Sequence, residues 1–228
     1  VGERLLDPVA HEGDAANHVV VAQVWGDGGF GNASYKNSFI ELYNPTDNNV
    51  DLSGDSIAYL PANNSTNTGT PAATQQTSLT GTIPAHGYYL VAGTSSNGGA
   101  AGVDLPAPDD NSTINWNFAD GTIALVDTQD AFTMPTGDLT GADHVIDALG
   151  YGVSTSFTPF AYEGALSGFI TGVNIAAQRT PVGTDTNNNH TDFASIAPVA
   201  INSNGDTQPA ISLAGVTDQT ALVNQAAT

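Results

Sequence analysis

The chain has 228 residues, no cysteine and a formal net charge of −20, with 23 acidic residues against 3 basic ones. Its length is sufficient for one all-β domain with a sizeable core. The charge argues against nucleic acid as a partner, because binding nucleic acid requires Lys and Arg to neutralise phosphates. The lack of cysteine excludes disulfide bonds and thiolate chemistry, and no apolar run of about 18 residues predicts a membrane span.

The first 17 residues are predicted to form a polar, acidic arm with one short apolar pair, Leu5-Leu6. The first strand is predicted over 18–24, which is rich in valine. The chain begins at Val1 rather than at methionine, so we expect a mature product from which a secretion signal has been removed. The abundance of Asn, Thr, Ser, Gly and Ala also favours an extracellular protein.

The next strand is predicted over 37–43, where Phe39, Glu41 and Tyr43 alternate with residues that belong to the opposite face. Pro45 follows and ends the strand, because proline has no N–H group. The loops 61–78 and 93–115 are long enough to indicate either function or mobility. Further strands are predicted near Val50 and over 56–60, 87–92, 121–126, 144–150 and 173–178, with one helical turn over 161–166.

Several short motifs follow each other along the chain: Phe-Ile-Glu-Leu-Tyr-Asn-Pro at 39–45, Val-Asp-Leu-Ser-Gly at 50–54, the segments 79–93, 121–127, 145–152 and 185–193, Glu163-Gly164 and Arg179. Their order resembles the lamin tail domain family in its secreted bacterial and archaeal form. The resemblance extends over about 19–203. It implies an immunoglobulin-like β-sandwich that accompanies secreted nucleases or lies on cell surfaces, with no catalytic residue in the domain itself.

The predicted organisation is an N-terminal arm (1–17), a lamin-tail-like sandwich (18–206) and a strand-like C-terminal tail (207–228). The arms dock either on their own domain or on neighbouring chains, and we expect neighbours, because an added strand would complete an open sheet edge. The apolar residues that would set the register of such a strand are Leu5 and Leu6 at one end, and Ile211, Leu213, Leu222 and Val223 at the other.

Oxygen-bearing side chains recur in the segment 185–192. Asp185, Asn187, Asn189 and Asp192 offer the donors that Ca²⁺ prefers, although the spacing does not match a helix-loop-helix calcium loop. The alternative is an array of Asx turns that satisfies its own backbone. Asp109 and Asp110 form a second candidate calcium site, for which simple solvation is the alternative.

Arg179 lies beside a predicted strand end, in a chain that has only two other cations, Arg4 and Lys36. We expect its guanidinium to form a bidentate pair with Asp147 or Asp185, in an architectural role. Glu41 is a further candidate partner or a cation ligand.

The remaining motifs are weaker. Five aromatic residues could form a sugar-stacking platform, although aromatic residues in a sandwich usually belong to the core. They are Trp25, Trp116, Tyr88, Tyr89 and Tyr151. The histidines show no metal-ligand spacing, and no catalytic motif is present, so we predict no enzyme activity. Possible N-glycosylation sites are Asn32, Asn63, Asn64, Asn111 and Asn189.

The sequence therefore favours a secreted, non-enzymatic structural protein that polymerises with itself through its arms, with Ca²⁺ offsetting the charge. The alternative is an adhesion or carbohydrate-binding module that accompanies a secreted hydrolase or nuclease.

Overall fold

The computed structural model describes residues 15–62, 72–152, 159–168 and 171–207, and these form an almost entirely β, immunoglobulin-like sandwich. Some residues singled out by the sequence lie outside the described ranges: Leu5, Leu6, Asn63, Asn64, Ile211, Leu213, Leu222 and Val223. The described end of the N-terminal arm contacts its own domain, because Ala15 pairs with Thr184 and Ala16 N–H donates to the Gly183 carbonyl at 2.8 Å.

The strands are short, as is usual where Gly-, Asn- and Pro-rich turns separate them. They are β1 (Val20–Trp25), β2 (Phe39–Tyr43), β3 (Val50–Asp51), β4 (Ser56–Leu60), β5 (Gln75–Ser78), β6 (Thr82–Ile83), β7 (Tyr88–Ala92), β8 (Asp110–Asn111), β9 (Gly121–Val126), β10 (Gly137–Asp138), β11 (Val145–Tyr151), β12 (Ala161–Tyr162), β13 (Ala176–Arg179) and β14 (Phe193–Ile196). A 3₁₀ helix (Ser96–Gly99) and a four-residue α-helix, α1 (Asn189–Asp192), complete the described elements.

Two sheets form the sandwich. The larger has six strands in the order β14-β13-β1-β2-β7-β8, and the smaller has four in the order β11-β9-β4-β5. Neighbouring strands are antiparallel except β7 and β8, which are parallel. Two small ladders, β3 with β6 and β10 with β12, lie outside these sheets.

Side chains on both faces of the large sheet are buried. Ile40 and Leu42 belong to the core cluster that includes Ile123 and Leu125 of the smaller sheet. Phe39 belongs to a second cluster, on the outer face, that residues of the loops and of the C-terminal segment complete. Because both faces are covered, β1 is buried along its whole length, which explains why Gln23 is its only polar residue.

The predicted strand positions agree with the structure to within a few residues, except at 173–178. There β13 begins at Ala176, because Gly172 and Ile175 close a tight turn with mutual backbone hydrogen bonds of 2.7 and 3.0 Å. The long loops 61–78 and 93–115 contain β5 and β8, which the sequence analysis did not predict.

The helical turn predicted over 161–166 is wrong. Ala161 and Tyr162 form β12, which pairs with β10, and the Ala161 carbonyl accepts a hydrogen bond from Thr122 Oγ1 at 2.6 Å. This chain segment packs directly on β11, because Gly150 has no Cβ to hold it away. The described α-helix lies elsewhere, at 189–192, and the described residues contain no helix with the length and apolar character needed to cross a bilayer.

The close approach of Gly93 to Trp116 generates a stability prediction. A Cβ at residue 93 would lie 2.2 Å from Cη2 of the Trp116 ring, which is buried and anchored by its Nε1–H···O bond of 3.0 Å to the Trp25 carbonyl. Gly93→Ala should therefore lower the free energy of unfolding by about 1–3 kcal/mol in urea denaturation. Gly54→Ala is the matched control, since a Cβ there meets nothing within 4 Å. Equal stability of the two variants would contradict the packing argument.

A buried charge centre around Arg179

Arg179 is the last residue of β13, and its side chain is fully buried between the two sheets. Burying a guanidinium costs several kcal/mol unless its N–H groups find acceptors. Both carboxylate oxygens of Asp147 in β11 accept from Nη2, Oδ1 at 2.6 Å and Oδ2 at 2.7 Å. This bidentate pair joins the six-stranded sheet to the four-stranded sheet.

The ion pair also binds the backbone of β1. The Val21 N–H group donates to Asp147 Oδ2 at 2.5 Å, and the Val21 carbonyl accepts from Arg179 Nε at 3.1 Å. Register shifts occur at this level in both sheets, between Val21 and Gln23 in β1 and between Val145 and Asp147 in β11. The buried pair therefore satisfies backbone groups at a point where the strand ladders are irregular.

The remaining guanidinium nitrogen faces the loop that follows β13. Arg179 Nη1 lies 3.0 Å from the Thr184 carbonyl, 3.2 Å from Asp185 Oδ1 and 3.0 Å from Asp192 Oδ2. The Phe193 ring lies 4.6 Å from the guanidinium carbon, a cation–π distance. All three nitrogens of the guanidinium thus donate to buried acceptors.

The carboxylates of the predicted calcium segment accept hydrogen bonds from the protein itself. Asp192 accepts from Thr186 N–H at 3.0 Å and from Thr186 Oγ1 at 2.6 Å, and Asp185 accepts from Asn187 N–H at 2.9 Å. Asn187 has a positive φ of 54°, as expected for an Asx-rich turn. These contacts favour the Asx-turn alternative, and calcium binding by this segment stays a prediction.

Asn189 closes the outer edge of β11. Its side-chain oxygen accepts from Gly150 N–H at 2.8 Å and from Glu163 N–H at 3.0 Å, while its nitrogen donates to the Ala148 carbonyl at 2.7 Å. The amide thus occupies the position of one residue of a neighbouring strand. Asn189 is fully buried, so glycosylation at this residue is incompatible with the folded domain.

Glu163 is a member of the charge centre that the sequence analysis did not assign. Its carboxyl group lies with those of Asp147 and Asp185, with one oxygen of each within 4.8 Å of the others. Burial, together with the two neighbouring carboxylates, raises the pKa of Glu163 well above its usual value. Three carboxyl groups at this spacing could share a cation, but Arg179 already binds both oxygens of Asp147, so a proton on Glu163 fits the centre better.

His18 contacts the exposed side of the centre, with Nε2 3.3 Å from Asp185 Oδ2. Although burial alone would raise the pKa of Asp185, the contact with His18 and the charge of Arg179 hold it below its usual value. Asp185 therefore remains ionised, and its charge helps to balance Arg179.

Asp109 and Asp110, the second calcium candidate, also serve as hydrogen-bond acceptors. Asp109 Oδ2 accepts from Leu90 N–H at 2.8 Å and from Ser203 N–H at 2.9 Å, and Asp110 Oδ2 accepts from Thr80 N–H at 3.0 Å. Both residues hold loops against the large sheet.

Of the glycosylation candidates in the described ranges, Asn32 and Asn111 are exposed, as such a modification requires.

The sugar-stacking platform is wrong for most of its residues. Trp25, Trp116, Tyr89 and Tyr151 are at most 3% exposed and belong to the apolar clusters. Tyr88 is half-buried and lies against Tyr43, with ring centroids 4.9 Å apart. The four buried rings are therefore core residues, and a carbohydrate would have no access to their faces.

Glu41 does not contact the charge centre. It lies on the outer face of β2, where it is 2% exposed and its Oε2 accepts from Ile201 N–H at 2.7 Å. The segment 199–203 crosses the sheet here, because Gln23 binds both N–H and C=O of Val199, at 3.1 and 3.4 Å. Burial raises the pKa of Glu41 to about 8, although the bond from Ile201 lowers it.

The complete pairing of Arg179 makes a conservative substitution costly. Arg179→Lys keeps the positive charge but cannot reproduce the fork that binds Asp147 and Val21, so buried acceptors lose their partners. We expect a loss of about 3–5 kcal/mol in the free energy of unfolding, measured by chemical denaturation. The reverse exchange at the half-exposed Lys36, Lys36→Arg, is the control and should change stability by less than about 0.5 kcal/mol. An unchanged unfolding midpoint for Arg179→Lys would exclude the architectural role.

The buried acid at position 41 predicts a pH dependence. The folded chain keeps a proton on Glu41 up to about pH 8, whereas the unfolded chain releases it near a pKa of about 4.3. The folded state binds more protons in that window, so stability should fall as the pH rises through it. Glu41→Gln has no proton to lose, and its melting temperature relative to the parent should increase steadily from pH 5 to pH 8. Asp130→Asn, at an exposed carboxylate, is the control; a pH-independent difference for Glu41→Gln would contradict the prediction.

The chain was also compared with known proteins. Among solved structures, one similar chain is a DUF4876 family protein from Bacteroides thetaiotaomicron, with 12% sequence identity and a TM-score of 0.49 over 86% of this chain and 75% of that one. No curated protein matches the sequence significantly. The sequence pattern of the lamin tail domain matches residues 12–152, which is more than half of the chain. The chain therefore belongs to the lamin tail domain family.

Proposed function

We propose that the chain is a non-enzymatic structural domain that works outside the cell and assembles with copies of itself by strand addition to the edge of β14. The observation that carries the proposal is the difference between the sheet edges. The outer edge of β11 is closed by Asn189, and β8 has only two residues. The edge strand β5 has the wholly polar sequence Gln-Gln-Thr-Ser, which offers an added strand no apolar register.

The edge of β14 is different. Among the described residues, no strand pairs with its outer side. Antiparallel ladders alternate between hydrogen-bonded and non-bonded residue pairs. Thr180 N–H donates to the Asp192 carbonyl at 2.7 Å, so these two residues form a bonded pair. Three pairs further along, Ala177 and Ser195 form a non-bonded pair, and the N–H and C=O groups of Ser195 therefore face outward. Ile196 beside it is exposed, so the edge combines free backbone groups with an apolar side chain.

A donor for this edge is available in the sequence. Residues 209–215 read Pro-Ala-Ile-Ser-Leu-Ala-Gly, in which Ile211 and Leu213 would lie on the same face of a strand. Strand addition gains affinity from backbone hydrogen bonds and specificity from such alternate side chains. Leu222-Val223 and Leu5-Leu6 are the other candidate donors.

A structural role is also supported by the way that the acidic groups are used. The buried carboxylates of Asp147, Asp185 and Asp192 are bound to Arg179 and to backbone or hydroxyl donors. They stabilise the sandwich from inside it. Secretion is supported by the acidic, lysine-poor composition, which is typical of proteins at cell surfaces.

The edge proposal is tested by removing one N–H group. Ser195→Pro should preserve the fold, because the lost donor faces away from β13, but it should abolish polymers in negative-stain microscopy. Ser195→Thr keeps the donor and is the matched control. A chain that lacks residues 208–228 should behave like Ser195→Pro if the C-terminal tail is the donor.

The assays should be run with CaCl₂ and with NaCl at matched ionic strength, so that calcium binding is separated from charge screening. Circular dichroism and melting temperature verify that each variant is folded. Polymers of Ser195→Pro that match those of the parent, or a parent that never polymerises, would refute assembly through β14.

A further inference from the structure

One end of the sandwich is formed by four loops that are hydrogen-bonded to each other. Val103 N–H donates to the Ser34 carbonyl at 3.1 Å, and Lys36 N–H donates to the Val103 carbonyl at 2.8 Å, which joins the loop 100–105 to the loop 26–36. Ser34 Oγ reaches Asn174 Oδ1 at 2.9 Å, which joins the loop 171–175. These contacts make the loops one continuous surface.

The fourth loop, 116–120, belongs to the same surface. Thr171 Oγ1 donates to the Phe118 carbonyl, and the backbone of Gly26 packs directly against the backbone of Phe118. The Trp25 indole N–H donates to the Gly172 carbonyl at 2.8 Å, so the loop 171–175 is also fixed to the end of β1. Side chains on these loops are therefore held by a rigid base.

Each of the four loops exposes one large apolar side chain. The exposed fractions are 54% for Phe30, 55% for Val103, 43% for Phe118 and 45% for Ile175. We call these four residues the apolar end. Only two other large apolar residues in the described ranges are comparably exposed, Ile196 and Val199. Concentration of exposed apolar side chains at one place is typical of an interaction surface.

The same loops expose little negative charge, in a chain whose net charge is −20. Their carboxylates are those of Asp27, Asp104 and Asp120. Asp27 and Asp120 are 3% and 2% exposed, and burial raises the pKa of both. Asp104 forms an ion pair of 2.9 Å with Lys36. The opposite end of the sandwich, by contrast, exposes Asp47, Asp127 and Asp143.

We infer that the apolar end is a pairing surface for a second copy of this chain, in an end-to-end contact with two-fold symmetry. A basic partner would be attracted to the exposed carboxylates at the opposite end and would therefore bind there rather than at the apolar end. A copy of this acidic chain is repelled there and approaches most easily where the carboxylates are buried or paired. The pairing rests on the proposed self-assembling role but uses a different surface from β14, and apolar side chains that meet their own copies satisfy two-fold symmetry.

The dependence of dimerisation on salt follows from the charge of the chain. Two copies of charge −20 repel each other over the whole surface, and salt screens that repulsion while leaving apolar contacts intact. Pairing should therefore strengthen with ionic strength. A contact built on ion pairs would weaken instead.

The test uses the Ser195→Pro chain, so that strand addition at β14 does not interfere. Sedimentation equilibrium at about 0.1 M and about 2 M NaCl should show monomers at low salt and a monomer–dimer equilibrium at high salt. Adding Phe118→Ser with Ile175→Ser should raise the dimer dissociation constant about tenfold or more. Val199→Ser removes an equally exposed apolar side chain outside the four loops and should change the constant by less than about twofold.

Several results would overturn the inference. These are monomers at every salt concentration, dimers that weaken as salt is added, and an equal loss in the Val199→Ser control. Monomers that bind neutral phosphatidylcholine vesicles through Phe118 and Ile175 would reassign the apolar end to a lipid surface. If the double variant does not fold, Phe30→Ser provides the same comparison.

The two assembly surfaces are separable by these variants. Loss of polymers in Ser195→Pro reports on β14, and loss of the salt-induced dimer in the double variant reports on the apolar end. If one of these losses is not observed, the other still tests its own surface.

Discussion

The contact between Arg179 and Asp147 is the constraint on which the sandwich depends. It lies between the two sheets and supplies the acceptor and the donor that the backbone of Val21 needs. A buried ion pair of this kind adds little net stability compared with apolar residues, yet its loss leaves unpaired charges in the core. Its effect is therefore on geometry, because it links the two sheets at a fixed point. The loop that carries Asp185 and Asp192 is positioned by the same guanidinium.

The two ends of the sandwich differ because of how each is closed. At the end with Arg179, polar groups turn inward to the cation, and exposed carboxylates such as Asp127 remain in solvent. At the other end, loops are joined mainly through backbone carbonyls, and their large apolar side chains are left outside. The molecule thus has a charged end and an apolar end, although its sequence shows no such division into halves.

Much of the fold could be predicted from the sequence because its strands follow local rules. The alternation at 37–43 and the proline after it predict the last residue of β2 correctly and its first residue to within two positions. The strand β14 was not predicted, since its four residues directly follow an Asn-rich segment that resembles a turn. Arg179 was identified because cations are so rare here. Glu163 belongs to one of the family motifs but was given no role, because nothing in its neighbourhood indicates that a loop carboxyl is buried. Likewise, Glu41 is buried by Ile201, which is 160 residues away in the chain.

Asn189 illustrates how little separates a closed sheet edge from an open one. A single amide side chain, with three hydrogen bonds, takes the place that one residue of a further strand would fill beside β11. A change at this one position would therefore expose Gly150 N–H and the Ala148 carbonyl without altering any strand. Among the described residues, closure of this stretch of the edge thus depends on one side chain of α1 rather than on a paired strand.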